Sequence, residues 1–279
     1  MPFMSVEDRP AGIAPILAHL HIFKNSGSTL DWILRRNFGD TFAELHGPDQ
    51  NSTLRSSDLE SFLAANANIN VVSSHHVRLP LDAHQARSIM PILFLRHPVD
   101  RIASMYEHDR RQNGVDPADP KFHSLRLWVA DAIERTSFNV CDMQTMFLAA
   151  SGTYYSAPTI VECYEALEVL AELPFCGVVD EFEASMVVLE SKIRPWMPQF
   201  DAAYFPQNVS RGRAAVLPHR LSLMERELGR ETYNRLLMEN QYDLRLYEAG
   251  KAKLKAALES IPDWEMRIAE LRSRNEVLA

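Results

Sequence analysis

Near the start of the chain, a lysine, a glycine and three hydroxyl residues are arranged in a way that suits an anionic ligand. The segment is Lys24-Asn25-Ser26-Gly27-Ser28-Thr29, between an apolar run and an amphipathic stretch. A turn that opens a helix presents backbone N–H groups and the positive end of the helix dipole. Gly27 would let the backbone approach a ligand closely, and Lys24 adds a mobile positive charge. Ser28 and Thr29 are suited to cap the helix or to donate to phosphate oxygens.

The order of these residues distinguishes the turn from a nucleoside triphosphate loop. In the Walker pattern the lysine follows the glycines. Here Lys24 precedes Gly27, and no glycine stands five residues before Gly27, where the first Walker glycine would be. The pattern by itself is equally compatible with an ordinary capped helix and a surface lysine, so a second motif is needed to identify a ligand.

That second motif follows a later apolar run, Pro91 to Leu95. Arg96 stands at the carboxyl end of this predicted strand, and Pro98 suits the first turn of a helix. Ser104 lies about two helical turns further on. Open α/β sheets bind ligands at the carboxyl ends of their strands, and an arginine with a hydroxyl can hold a phosphate. The alternative is a strand-to-helix junction with solvated arginines.

Together the two motifs resemble those of sulfotransferases that use 3′-phosphoadenosine-5′-phosphosulfate (PAPS) and release 3′-phosphoadenosine-5′-phosphate (PAP). The first resembles the 5′-phosphosulfate loop, and the second resembles the 3′-phosphate motif of Arg, Pro, Arg and Ser. Within the superfamily, the uronosyl 2-O-sulfotransferase branch looks most similar. Its motif His-Ile-Pro-Lys-Thr-Gly-Gly-Thr-Thr corresponds to residues 21–29, and residues 178–185 and 243–247 also resemble that branch.

The resemblance implies roles for individual residues. Residues 24–29 would hold the phosphosulfate, whereas Arg96 and Ser104 would bind the 3′-phosphate. Arg211, in the loop 208–213, is a further candidate to close over the nucleotide, with a solvated basic loop as the alternative. Asn25 and Ser26 replace the usual Thr-Gly of the family motif, so a positive φ at Ser26 would carry strain.

Transfer to a hydroxyl also requires a base for the acceptor proton. In the resembling 2-O-sulfotransferases a catalytic histidine precedes valine in a His-x-His-Val segment, and His76 has that position within residues 74–77. His76 is therefore predicted to be the base, and the role of His75 stays open. Three carboxylates remain as alternative bases: Glu44, Asp82 and Glu107. His19 and His21 are predicted to be packed or hydrogen-bonded, and no group of residues predicts a metal site.

Composition and charge narrow the class of protein. The 279 residues are 46% hydrophobic, which is enough for one large core, and the net charge of −8 disfavours nucleic acid as a ligand. The three cysteines have no metal-like spacing, which favours buried thiols in a reduced compartment. No apolar run approaches the roughly 20 residues that span a bilayer, and no signal-peptide pattern is present, so a cytoplasmic location is predicted.

Apolar runs that alternate with helical patterns predict an α/β fold, a P-loop-like parallel β-sheet flanked by helices on both faces. Strands are predicted at residues 16–23, 70–74, 91–96 and 175–179. The predicted sulfotransferase domain covers residues 1–250, and residues 251–279 form a C-terminal helical extension. The apolar stripe of this extension either packs back on the domain or forms a contact in a homo-oligomer.

The sequence therefore predicts an enzyme that transfers a sulfuryl group from PAPS to a hydroxyl acceptor by in-line displacement. Lys24 would stabilise the leaving phosphate, and His76 would take the acceptor proton. The acceptor is a glycan, favoured by the resemblance, a lipid headgroup or a small molecule. Two rival functions remain: a P-loop-like nucleotide kinase or NTPase, and a non-catalytic nucleotide-binding module.

Overall fold

A computed structural model describes residues 14–84, 87–112, 124–149, 157–205 and 216–278. The chain divides into two compact units. The first unit contains the described residues within 1–95, 168–208 and 249–279. The second contains those within 96–167 and 209–248.

All strands of the described residues belong to the first unit, where they pair in parallel. The four-stranded sheet has the order β2-β3-β1-β4, with β1 at Ile16–Leu20, β2 at Phe42–Glu44, β3 at Val71–Ser74 and β4 at Ile89–Ile92. Two short strands, β5 (Phe94–Leu95) and β6 (Gly177–Val178), pair separately. Every residue of β1 and β3 is buried, as expected of a parallel sheet covered on both faces. The predicted α/β class with a helix-flanked parallel sheet is confirmed.

The helices are listed here in chain order: α1 Gly27–Phe38, α2 Ser56–Ala65, α3 Pro98–Gln112, α4 Leu125–Glu134, α5 Met143–Leu148, α6 Ile160–Glu172, α7 Phe182–Ile193, α8 Leu217–Leu228, α9 Arg230–Met238, α10 Gln241–Glu259 and α11 Trp264–Leu278. Helices α1, α2, α7 and α11 lie in the first unit, and α3, α4, α5, α8 and α9 lie in the second. In the part of the chain that the structure describes, no helix is both long and apolar enough to cross a membrane.

The four predicted strands are present, and the first, second and fourth are shorter than predicted. The third begins two residues earlier than predicted and divides in two, because β4 pairs with β1, whereas Phe94 and Leu95 pair with β6. Neither β2 nor α2 was predicted. A three-residue strand is too short for a periodic pattern to show, and β2 is placed by its pairing with β3.

The C-terminal helix is an integral part of the first unit. Leu271 of α11 is fully buried. Arg272 contacts Glu183 at 2.7 Å, and Arg274 contacts Glu190 at 2.8 Å, and both carboxylates are on α7. The stripe therefore packs back on the protein, and residue 250, where the predicted boundary lies, is inside α10.

The three cysteines pack into the protein interior, as predicted. Cys141, Cys163 and Cys176 are all buried free thiols. Burial raises the pKa of Cys141 and of Cys176 to about 12. Both thiols are therefore neutral at physiological pH and unsuited to act as nucleophiles.

Candidate functional site

The turn between β1 and α1 has an alternating backbone. Lys24 and Ser26 adopt the left-handed conformation, with φ of 67° and 63°, whereas Asn25 between them does not have a positive φ. Such alternation directs successive N–H groups toward one side of the chain and creates a concavity for anions. The turn leads directly into the N-terminus of α1, whose dipole adds to the same effect.

The helix cap differs from the prediction. Ser26 is the N-cap residue of α1, and its side chain makes no capping hydrogen bond. Ser28 and Thr29 lie inside the first turn instead, with Ser28 exposed and Thr29 buried. The prediction that these two hydroxyls cap the helix was therefore wrong. The first-turn amides of Gly27 and Ser28 have no partner within the helix, as at any helix N-terminus.

We expect Ser26→Gly to stabilise the protein by about 1 kcal/mol, because glycine adopts a positive φ without a clash at Cβ. Little is lost in exchange, since the Ser26 side chain makes no capping hydrogen bond. Ser28→Gly is the matched control, and it should destabilise the helical first turn by up to about 1 kcal/mol. Urea denaturation of the two variants measures both effects. If Ser26→Gly is less stable than the wild type, the positive φ at Ser26 does not strain the backbone.

Gly27 is required by a neighbouring ring. A Cβ atom at Gly27 would lie 1.9 Å from Nε2 of His21. The imidazole of His21 therefore covers the α-carbon of the first helical residue, which only glycine permits. The sequence predicted that Gly27 lets a ligand approach the backbone closely. In the structure, the group that lies this close to Gly27 is the imidazole of His21.

Asn25 anchors the turn to the sheet. Its side chain is buried, and Nδ2 donates to the carbonyl oxygen of Phe94 in β5 at 2.6 Å. The backbone N–H of Asn25 donates to the carbonyl oxygen of Ile22 at 3.1 Å, so both groups of this residue hold the turn in place. Lys24 is half-buried, and its Nζ lies 5.5 Å from the centroid of the Phe23 ring.

Two histidines stand side by side at the carboxyl edge of the sheet. His21 follows β1 and His75 follows β3, and Leu20 is paired with Ser74 in the register of these strands. The ring centroids of His21 and His75 are 3.9 Å apart. Because ligands bind at this edge of open α/β sheets, the pair lies where a substrate is expected.

A carboxylate holds the imidazole of His21 together with a third imidazole, that of His19. Asp31 of α1 lies 2.7 Å from Nδ1 of His19 and 3.1 Å from Nδ1 of His21. Burial favours a raised pKa for Asp31, but the two histidines outweigh it and hold the pKa well below its ordinary value. His19 and His21 are thus packed and hydrogen-bonded, as predicted.

The same three residues form the one group in the described part of the chain with metal-like spacing. One ligand atom from each of His19, His21 and Asp31 lies within 4.8 Å of the others. The sequence had not indicated this group, because Asp31 lies on a helix and comes close only through the βα turn. Hydrogen bonds between the carboxylate and the imidazoles already account for the arrangement.

His76 faces a loop. It is 8% exposed, and its Nδ1 accepts a hydrogen bond from the amide of Gly47 at 2.7 Å. The backbone of Gln50 also hydrogen-bonds to this ring, and burial followed by the charge of Arg78 lowers the His76 pKa. His76 therefore holds the segment from Gly47 to Gln50 against the end of β3.

The alternative bases are scattered. Glu44 is paired with Arg35 at 2.5 Å on the surface, and Asp82 is exposed in a loop. Glu107 lies on α3, in the second unit.

In the second unit, two arginines share one carboxylate. Asp100 lies 2.8 Å from Nε of Arg96 through one oxygen and 2.8 Å from Nε of Arg220 through the other. Arg96 and Asp100 are buried, and Arg220 is 11% exposed at its side chain. The carboxylate of Asp100 thus holds both guanidinium groups in place. Arg220 was missed because 120 residues separate it from Asp100 and no local motif marks it.

The remaining residues of the second motif have different environments. Ser104 is half-buried on α3. Arg101 is fully buried, and its Nη2 donates to the carbonyl of Asn139 at 2.7 Å, so this second arginine of the motif is a structural residue. Arg211 lies outside the described residues.

A buried amide supports Arg96. The backbone N–H of Arg96 donates to Oε1 of Gln144, and Nε2 of Gln144 donates to the backbone oxygen of Arg96, both at 2.9 Å. Asp243 in turn accepts from the amides of Gln144 and Thr145, at 3.1 and 2.7 Å. The late segment around Asp243 thus fixes the backbone that carries Arg96.

The predicted site residues fall into two groups. Lys24, the turn and the histidines lie in the first unit, whereas Arg96, Ser104 and the newly found Arg220 lie in the second.

Comparison with known proteins found a protein that is similar in sequence over most of the chain. No family model matches the chain. An uncharacterized protein of Archaeoglobus fulgidus is 32% identical over 245 residues, which cover 84% of this chain and 94% of that protein. Identity at this level over most of both chains indicates common descent and a common fold. The chain belongs to the same family as this archaeal protein.

Proposed function

We propose that the protein is a sulfotransferase that moves a sulfuryl group from PAPS to a hydroxyl group. Residues 24–29 hold the 5′-phosphosulfate, and Arg96 with Ser104 binds the 3′-phosphate. The acceptor is a hydroxyl of a carbohydrate or small molecule, with carbohydrate favoured by the resemblance to 2-O-sulfotransferases.

The observation that carries the proposal is the turn itself. Its left-handed residues, Lys24 and Ser26, and the N-terminus of α1 make an anion cradle, and one of those two residues is a lysine. In-line transfer requires that the charge on the leaving oxygen be neutralised. A lysine within the cradle can do this as the bond to sulfur breaks.

The paired arginines support a 3′-phosphate. Asp100 aligns Arg96 and Arg220, so that both guanidinium groups are held before a ligand arrives. Arginine forks bind phosphate through two parallel hydrogen bonds. The arginine pair belongs to a different motif from the turn, so the two would bind separate anionic groups. A nucleotide with a 3′-phosphate has such separate groups, whereas a triphosphate does not.

A kinase or NTPase is less well supported by the same residues. Those enzymes place a carboxylate on Mg²⁺ near the phosphates. The acidic residue nearest to the turn in the sequence is Asp31, and its carboxylate is bound to His19 and His21. A cytoplasmic location is part of the proposal, and the three buried free thiols support it.

A thermal-shift titration tests the nucleotide. PAP is expected to raise the melting temperature by several degrees, since a ligand at about 100 times its Kd adds about 2.7 kcal/mol. Adenosine 5′-phosphate should have a smaller effect, because it lacks the 3′-phosphate. ATP with Mg²⁺ is the control for a kinase, and a larger shift with it than with PAP would refute the proposal.

Arg220 provides an internal control in the same titration. Arg220→Ala should remove most of the difference between PAP and adenosine 5′-phosphate. Arg226→Ala, an exposed arginine on the same helix, should leave that difference intact. If both variants respond to PAP as the wild type does, Arg220 does not contact the 3′-phosphate.

A further inference from the structure

The two histidines after β3 are held in opposite tautomers. Nδ1 of His75 lies 2.7 Å from the carbonyl oxygen of His21, and Nδ1 of His76 lies 2.7 Å from the amide nitrogen of Gly47. A carbonyl oxygen only accepts, so Nδ1 of His75 carries a proton. An amide only donates, so Nδ1 of His76 carries the lone pair. In the neutral rings the basic nitrogen is therefore Nε2 in His75 and Nδ1 in His76.

This difference decides which ring can accept a proton from a substrate. The basic nitrogen of His76 already binds the amide of Gly47, within a ring that is 8% exposed. The Nδ1–H of His75 instead donates to the carbonyl oxygen of His21, which orients the ring and makes Nε2 its basic nitrogen. A general base is typically prepared in this way, with one nitrogen bound to an orienting group.

We propose that His75 is the base that takes the proton of the acceptor hydroxyl, and that His76 is a positioning residue that holds residues 47–50. The inference rests on the proposed function and assigns a residue to its chemical step. It differs from the sequence-based prediction, which placed the base at His76 because of the following valine.

The position of His75 supports this role. Its ring lies 3.9 Å from that of His21, and the His21 ring in turn covers the α-carbon of Gly27. His75 thus lies next to the imidazole that covers the start of the turn. It is also partly exposed, whereas Ser74 and His76 on either side are buried.

The proposed step conserves atoms and charge. An electron pair of the acceptor oxygen forms the new bond to sulfur. The bond from sulfur to the 5′-phosphate oxygen breaks, and its electron pair stays on PAP. The hydroxyl proton passes to Nε2 of His75, which becomes an imidazolium and later releases the proton to water.

The charges around His75 keep it neutral before PAPS binds. Burial, and then the proximity of His21, lower the pKa of His75 to about 3. His19 acts in the same direction and Asp31 opposes it, while the ring of His46 faces His75 at 6.2 Å. The negative charges of bound PAPS should raise this pKa, because an anion favours the imidazolium. Nucleotide binding would thus strengthen the base when it is needed.

Asparagine substitutions separate the two histidines. The amide of asparagine can reproduce either the donor or the acceptor at Nδ1, but it has no group at the position of Nε2. His75→Asn therefore keeps the contact to the His21 carbonyl, and His76→Asn keeps the contact to Gly47. Turnover is measured with labelled PAPS and a panel of hydroxyl acceptors, alongside PAP binding by thermal shift.

We expect His75→Asn to lose about 10²–10⁴-fold in turnover, the usual contribution of a general base, with PAP binding retained. His76→Asn should keep turnover within about tenfold. The fall in wild-type turnover at low pH, caused by protonation of His75, should be absent from the residual activity of His75→Asn. Full turnover in His75→Asn, or loss only in His76→Asn, would overturn the assignment of the base while the proposed function stands.

A measurement on the wild type keeps the test independent of variant folding. Nitrogen-15 NMR of the histidine rings should find His75 protonated at Nδ1 and His76 at Nε2, with the pKa of His75 rising on addition of PAP. The opposite tautomers, or a His75 pKa that PAP leaves unchanged, would contradict the inference. Absence of both PAP binding and sulfuryl transfer in the wild type would instead refute the proposed function together with it.

Discussion

Lys24→Met is expected to lower the rate of sulfuryl transfer by about 10²–10³-fold, the usual cost of removing one group that stabilises charge in a transition state. Methionine keeps most of the apolar stem of the lysine but has no charge. The leaving phosphate then develops its negative charge without a cation in the turn. The effect should appear in kcat more than in KM, because the charge builds up during transfer.

The fold should tolerate this change. Lys24 is half-buried, and its Nζ lies over the ring of Phe23 at 5.5 Å, a contact worth about 0.5–1 kcal/mol. Lys192→Met, at an exposed lysine of α7 in the same unit, is the matched control and should leave turnover unchanged. Wild-type kcat in Lys24→Met would remove the lysine from the chemical step.

Lys24→Gly separates stability from activity. Lys24 has a φ of 67°, which glycine adopts without strain. This variant should therefore be at least as stable as Lys24→Met by urea denaturation and equally inactive in transfer. Such a result would mean that the backbone conformation at this position disfavours lysine, although transfer requires it.

Asp243→Ala is expected to destabilise the protein by about 3–5 kcal/mol, the range for removing one partner of a buried charged group. Its carboxylate is fully buried and accepts hydrogen bonds from the backbone N–H groups of Gln144 and Thr145. It also accepts from the hydroxyl of Thr145 at 2.9 Å. All of these donors would remain buried without their acceptor.

The same variant should weaken nucleotide binding through Gln144. That side chain holds both backbone groups of Arg96, and it donates to Asp243 at 3.2 Å. Chemical denaturation measures the loss of stability, and PAP titration of the remaining folded protein measures the loss of affinity. Asp131→Ala, which removes a surface pair with Arg135, should cost at most about 1 kcal/mol. If Asp243→Ala also lowers the free energy of unfolding by at most about 1 kcal/mol, the hydrogen bonds to Asp243 do not stabilise the fold as proposed.

The local patterns of the sequence determined the class of fold and the place of the turn between β1 and α1. Buried strands appear as continuous apolar runs, and the helix after the turn has an apolar stripe that repeats at helical spacing, so β1 and α1 could both be predicted. The positive φ at Ser26 was also foreseeable, because a serine stands where the motif that the turn resembles has glycine. These features depend on residues that are close together in the sequence.

The tertiary structure decided the partners of the side chains. Arg220 is joined to Arg96 through Asp100, and Gly27 is required by the ring of His21. The tautomers of His75 and His76 depend on the carbonyl of His21 and the amide of Gly47, which are distant in sequence from them. Adjacent histidines are indistinguishable in a sequence pattern. Parallel strand pairing brings different backbone groups to each ring, and that determines which nitrogen carries the proton.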